Sequence, residues 1–167
     1  MNRRKAVAAM ALAPLASAQP VRQQLLGVWK VVSYEWKDKA TAQVQYPMGK
    51  RPVGRITYDA AGRMSAQLMS SDRKSVGGPA TLGAVSAIRS ASAEDLREMV
   101  SGYISYFGRF EIDEKSRTVI HHVEGALIPS WVGSAQRRSY ELKGDTLILS
   151  GAFDQAIARI TWHRDTA

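Results

Sequence analysis

Short stretches in which apolar and polar residues alternate recur along most of the chain, separated by clusters of Gly, Pro, Asp and Ser. A period of two is the mark of a β-strand. Residues 25–36 (LLGVWKVVSYEW) put Trp29, Val31 and Ser33 on one face and Val28, Val32, Tyr34 and Trp36 on the other. Apolar groups on both faces suit a barrel strand whose outer face is partly covered. A polar turn over 37–42 leads to a short strand candidate at 43–46, ended by Pro47 and Gly49. Residues 53–69 read as a hairpin about Asp59-Ala60-Ala61-Gly62, in which Asp opens the turn and Gly accepts a positive φ. Residues 70–90, rich in Ser, Gly and Ala, form an insert. It ends in one short helix: Ser92 caps it, Glu94 and Asp95 suit its dipole, and Gly102 stops it.

The densest pattern is 102–133 (GYISYFGRFEIDEKSRTVIHHVEGALIPSWVG), a predicted hairpin that holds two of the three histidines. Strands over 136–142, 146–150 and 156–164 follow, with a tight turn at 143–145. The pattern predicts an all-β protein: an up-and-down antiparallel β-barrel of eight or nine strands with one short helix in an insert. In such a barrel alternate connections lie at the same end. The insert and the Trp131 loop therefore share an end, opposite the turns at 59–62, 113–117 and 143–145. Whether Trp29 enters at that shared end depends on whether 43–46 counts as a barrel strand.

The first residues carry a different signal. Arg3-Arg4-Lys5 precede an apolar run over 6–15, and Ala16-Ser17-Ala18 fits a small-x-small cleavage site. The run is shorter than the roughly 20 residues of a membrane span. The expected organisation is a cleaved export signal at 1–18, a lead-in at 19–24 and one barrel domain at 25–164, giving a periplasmic or secreted protein with no integral membrane segment. The full chain has 23 basic and 15 acidic residues; loss of three basic residues with the signal leaves a net charge of +5. That field suits an anionic guest. The basic residues are scattered without interleaved aromatics, which argues against nucleic acid. With no cysteine, thiol catalysis, zinc–thiolate sites and iron–sulfur clusters are excluded. No GxGxxG or P-loop pattern occurs, and no cofactor is expected.

Gly27-Val28-Trp29 is similar to the Gly-x-Trp signpost of lipocalins. The ordered set LLGVWKVVSYE, YPMG, GRITYDAAGRMSAQLM, YISYFGRFEI, HHVEGALIPSWVG, QRRSYEL and TWHR resembles the bacterial and fungal lipocalin-like domain family over nearly the whole mature chain. The resemblance implies a small calycin-type barrel with an internal cavity. It also implies structural roles for Gly27 and Trp29, with a late arginine, Arg164 or Arg159, packed over Trp29. Relatives of this architecture range from carriers to isomerases and cyclases, so fold alone does not name the activity.

Candidate chemistry gathers on the central hairpin. His121 and His122 are neighbours on a strand and point to opposite faces, so they cannot chelate one ion. A hairpin symmetric about Lys115 sets Tyr106 opposite Glu124 and Arg109 opposite His121. Two polar groupings follow: His122 with Glu124 and Tyr106, and His121 with Arg109. The larger first grouping selects His122 as the residue facing the interior. Tyr106, Arg109, His121, His122, Glu124 and Trp131 are the candidate ligand-binding residues, Trp131 as a rim or an end-sealing cap. His122 and Glu124 supply only two metal ligands on one face, and no metal site is expected. The leading expectation is a barrel that binds a small, largely apolar molecule, neutral or anionic. The alternatives are an isomerase or cyclase using a cavity histidine with Glu124 and Tyr106, and a solid-cored structural module.

Overall fold

The computed structural model describes residues 19–73, 86 and 88–166. The export-signal expectation falls on 1–18 and lies outside them, as does much of the insert. A short helix α1 (Val21–Leu25) precedes strands β1 (Gly27–Asp38), β2 (Val44–Gln45), β3 (Val53–Tyr58) and β4 (Arg63–Met69). Helix α2 (Ala93–Ser101) leads into β5 (Tyr103–Asp113), β6 (Thr118–Ala126), β7 (Ala135–Lys143), β8 (Thr146–Phe153) and β9 (Ala156–Arg164). Ser92 caps α2 by accepting from the Asp95 N–H, and Gly102 closes it by donating to Glu98.

Antiparallel pairing runs β1-β3-β4-β5-β6-β7-β8-β9, and β9 pairs back on β1, closing an eight-stranded barrel. Closure leaves these strands no free edge, which suits a chain without disulfides. β2 is a two-residue branch on the far half of β1, with Trp36 opposite Gln45. It is not a barrel strand, and this decides the polarity left open above. Trp29 sits at the same end as the tight turns 59–62, 114–117 and 144–145, while the insert and the Trp131 loop lie at the other.

The apolar residues on both faces of β1 have a local cause. The register with β9 shifts between Val31 and Ser33. The bulge pushes Val32 outward, 54% exposed, and turns Tyr34 inward, 6% exposed. Trp29 and Val31 before it, and Tyr34 and Trp36 after it, thus share the interior, which strict alternation does not give.

One end of the barrel is sealed. Trp29 is fully buried, and its indole N–H donates to the Leu25 carbonyl at 2.9 Å. The Arg164 guanidinium lies 4.1 Å from the Trp29 ring centroid. Its Nη1 donates to Leu26 O (3.0 Å), its Nη2 to Gln24 O (2.7 Å) and its Nε to Asp145 (3.1 Å). Gly27 enters with φ of +118°, a conformation that favours glycine. Trp162, Ile56, Leu147 and Val119 continue the core toward the middle of the barrel.

Candidate functional site

The central hairpin does not fold symmetrically about Lys115. A four-residue loop (114–117) with Arg117 at positive φ pairs Asp113 with Thr118, so Arg109 faces His122 and Phe110 faces His121. A bulge between Phe107 and Gly108 then sets Tyr106 opposite Ala126. Gly108 makes that crossing possible: a Cβ there would stand 1.9 Å from the His122 carbonyl oxygen. Because strand side chains alternate, a slip of one residue exchanges faces.

The groupings expected from the sequence are therefore corrected. His121, not His122, faces the interior, and it is fully buried. Tyr106 joins His121 rather than His122 and Glu124, its hydroxyl 2.9 Å from Nδ1. The Tyr58 hydroxyl lies 2.8 Å from Nε2 on the other side of the ring. Arg109 is on the outer surface, where its Nε donates to Glu124 at 3.1 Å. His122 is also outside, 3.3 Å from Glu111.

Burial, reinforced by the positive charge of Arg138 and by His122, lowers the His121 pKa to about 3. A neutral imidazole has one donor and one acceptor nitrogen, so one tyrosine donates to the ring while the other accepts from it. Burial likewise raises Tyr106 to about 12 and Tyr58 well above its ordinary value. The trio is a satisfied, uncharged hydrogen-bond network in the barrel wall.

A cavity of about 490 Å³ opens beyond this network, at the end opposite Trp29. Tyr34, Trp36, Ile104 and Ala158 form part of its inner wall, with Phe153 and Trp131 nearer the loops. Val100 of α2 and the buried Met48 complete the apolar lining. Trp131 packs edge-on against Tyr106, with ring centroids 5.7 Å apart, and so connects cavity and network. Two polar side chains, Gln136 and Arg138, project from β7 into this lining.

Arg138 is half-buried. Its Nη2 donates to Gln136 Oε1 (3.1 Å), and its Nη1 donates to the Arg137 carbonyl (2.9 Å). Gln136 Nε2 in turn donates to Ser134 Oγ (3.0 Å), which donates to the Trp131 carbonyl (2.6 Å). The stem of Arg138 crosses Gly151 of β8, where a Cβ would meet Arg138 Cδ at 3.1 Å and Nη1 at 3.2 Å.

Of the six candidates from the sequence, the structure brings Tyr106 and His121 together inside and places Trp131 in the cavity wall. Arg109, His122 and Glu124 are outside. Arg138 and Gln136 were missed, although a signal existed: they share parity on β7 with the inward Tyr140 and Leu142. Among the described residues no three potential metal ligands cluster, and no helix is long and apolar enough to cross a membrane.

The chain is similar to a "4′-hydroxy-3′-methoxypropiophenone carrier protein" of Aspergillus oryzae, 33% identical over 87 residues, 45% of this chain and 78% of that protein. Among solved structures it matches a "REP1-NXSQ fatty acid transporter" at 12% identity and a TM-score of 0.40, over 87% of this chain and 98% of that one. The lipocalin-like domain family matches residues 26–164, which take in the whole barrel, and the chain belongs to that family.

Proposed function

We propose that the protein binds a small, largely apolar molecule in the cavity opposite the Trp29 seal, and acts as a carrier. The cavity carries this reading. Its volume of about 490 Å³ is in the range of small-molecule sites, and its lining is mostly aromatic and aliphatic, with Ser101, Gln136 and Arg138 as its polar aliphatic side chains. The relative named as a carrier protein supports it. The cavity also argues against a solid-cored module.

The isomerase or cyclase reading loses its residues. His122 and Glu124 lie outside the barrel, and His121 is sealed, with both ring nitrogens occupied. A histidine whose pKa is about 3 is a poor proton carrier near neutrality. No histidine or carboxylate is among the described residues lining the cavity.

The neutral fluorophore Nile red should bind saturably and quench Trp36 and Trp131. Ala158→Phe, which fills the cavity from β9, should abolish that binding while the protein stays folded. Saturable binding that survives Ala158→Phe would locate the site elsewhere and sink the proposal.

We also propose export to the periplasm or outside the cell, supported by Arg3-Arg4-Lys5, the apolar run and Ala16-Ser17-Ala18. N-terminal sequencing of protein from its host should read from Gln19. Cytoplasmic protein that retains residues 1–18 would refute it.

A further inference from the structure

We propose that Arg138 is an anion anchor, and that the cavity selects small apolar carboxylates over neutral molecules of the same shape. This rests on the cavity reading above and adds the chemical class of the ligand.

Three observations carry it. First, Arg138 contributes a cation to a lining that is otherwise aromatic, aliphatic or neutral polar. Among the described residues it forms no ion pair with a carboxylate, whereas Arg55, Arg63, Arg109 and Arg164 each form one. A half-buried cation without a counter-charge gains most from an anion brought to it, since water screens the pair less there than on the surface.

Second, the guanidinium is held, not loose. Two of its five N–H donors go to neutral acceptors, Gln136 Oε1 and the Arg137 carbonyl. The Gln136–Ser134 relay ties it to the Trp131 loop at the cavity wall. Gly151 leaves the space across which its stem lies. A fork fixed in this way is pre-organised for a carboxylate, which it can meet with two parallel hydrogen bonds.

Third, the charge faces inward. Arg138 lines the cavity and shares parity on β7 with the inward Tyr140 and Leu142, and its charge acts on the interior Tyr106 and His121. The ligand's apolar body would then lie among Trp36, Trp131 and Phe153, with its carboxylate toward β7.

The test compares naphthoate with its neutral amide, each displacing Nile red from the intact protein, in the native form and in Arg138→Met. The native protein should bind naphthoate at least about tenfold more tightly than the amide, as one charge-assisted bidentate contact allows. Arg138→Met should lose that preference, so that acid and amide displace Nile red equally well. Arg138→Lys keeps the charge without the fork and should retain only part of the preference. It also serves as the deciding variant if Arg138→Met does not fold. Equal affinities for acid and amide in the native protein, or a preference unchanged in both variants, would overturn the anchor while leaving the cavity standing. Failure of Nile red itself to bind would remove the cavity reading and the anchor together.

Discussion

The two ends of the barrel each hold an interior arginine, and the two are used in opposite ways. Arg164 at the sealed end covers Trp29 and donates to two backbone carbonyls and to Asp145. Its charge is paired with a carboxylate and three of its five N–H donors are taken up by the fold. Arg138 at the open end donates to a neutral side chain and to one carbonyl, beside a cavity. A satisfied cation adjoining a packed indole stabilises the barrel, whereas one without a counter-charge beside a cavity is available to a ligand. The fold assigns stability to one end of the barrel and binding to the other, so each can be altered alone.

The largest effect should come at the sealed end. Trp29→Ala should cost about 3–5 kcal/mol in chemical denaturation, the range for removing a large core aromatic. A loss below about 1 kcal/mol would mean that the seal does not depend on the indole.

The network between the two ends comes next. His121→Phe leaves the Tyr58 and Tyr106 hydroxyls without their ring partner and should cost about 2–4 kcal/mol. The same residue sets a pH dependence. Its folded pKa of about 3 lies below its ordinary 6.5. As the pH falls through that window, the unfolded chain takes up a proton that the folded one refuses. His121 therefore destabilises the fold progressively from about pH 6.5 down to about 3, and has no such effect above it. Denaturation midpoints should fall across this window in the native protein and less so in His121→Gln. An imidazole NMR signal of His121 that titrates between pH 6 and 7 would contradict the sealed network.

The arginines supply the direct comparison. Arg164→Met should cost about 1.5–3 kcal/mol, since it removes three hydrogen bonds and leaves the Leu26 and Gln24 carbonyls without that donor. Arg138→Met should change stability by less than about 0.5 kcal/mol, or raise it, because a methionine needs no counter-charge. Equal losses at the two positions would erase the distinction between the ends.

The smallest effect should come from the outer histidine. His122→Ala should change stability by at most about 0.5 kcal/mol and leave Nile red binding unaltered, as for surface substitutions in general. Loss of binding there would return the site to the outer face of β6.

Much of this architecture was legible from alternation alone. The strands, the turn at Asp59–Gly62, the capped helix at Ser92 and the Gly-x-Trp entry all depend on a residue and its near neighbours. The even spacing of the strands pointed to the barrel, and the family resemblance added its internal cavity and the arginine over Trp29. Which side chains meet inside was decided by tertiary structure, because a period of two carries no absolute phase. One bulge at Val32 turned Tyr34 and Trp36 inward. The even loop at 114–117 shifted the central hairpin by one residue, so His121 is interior and His122 exterior, and the bulge at Gly108 set Tyr106 opposite Ala126. Arg138 could be read as inward from its parity with Tyr140 and Leu142. Its lack of a carboxylate partner could not, because that depends on what β8, β9 and the Trp131 loop place around it once the barrel closes.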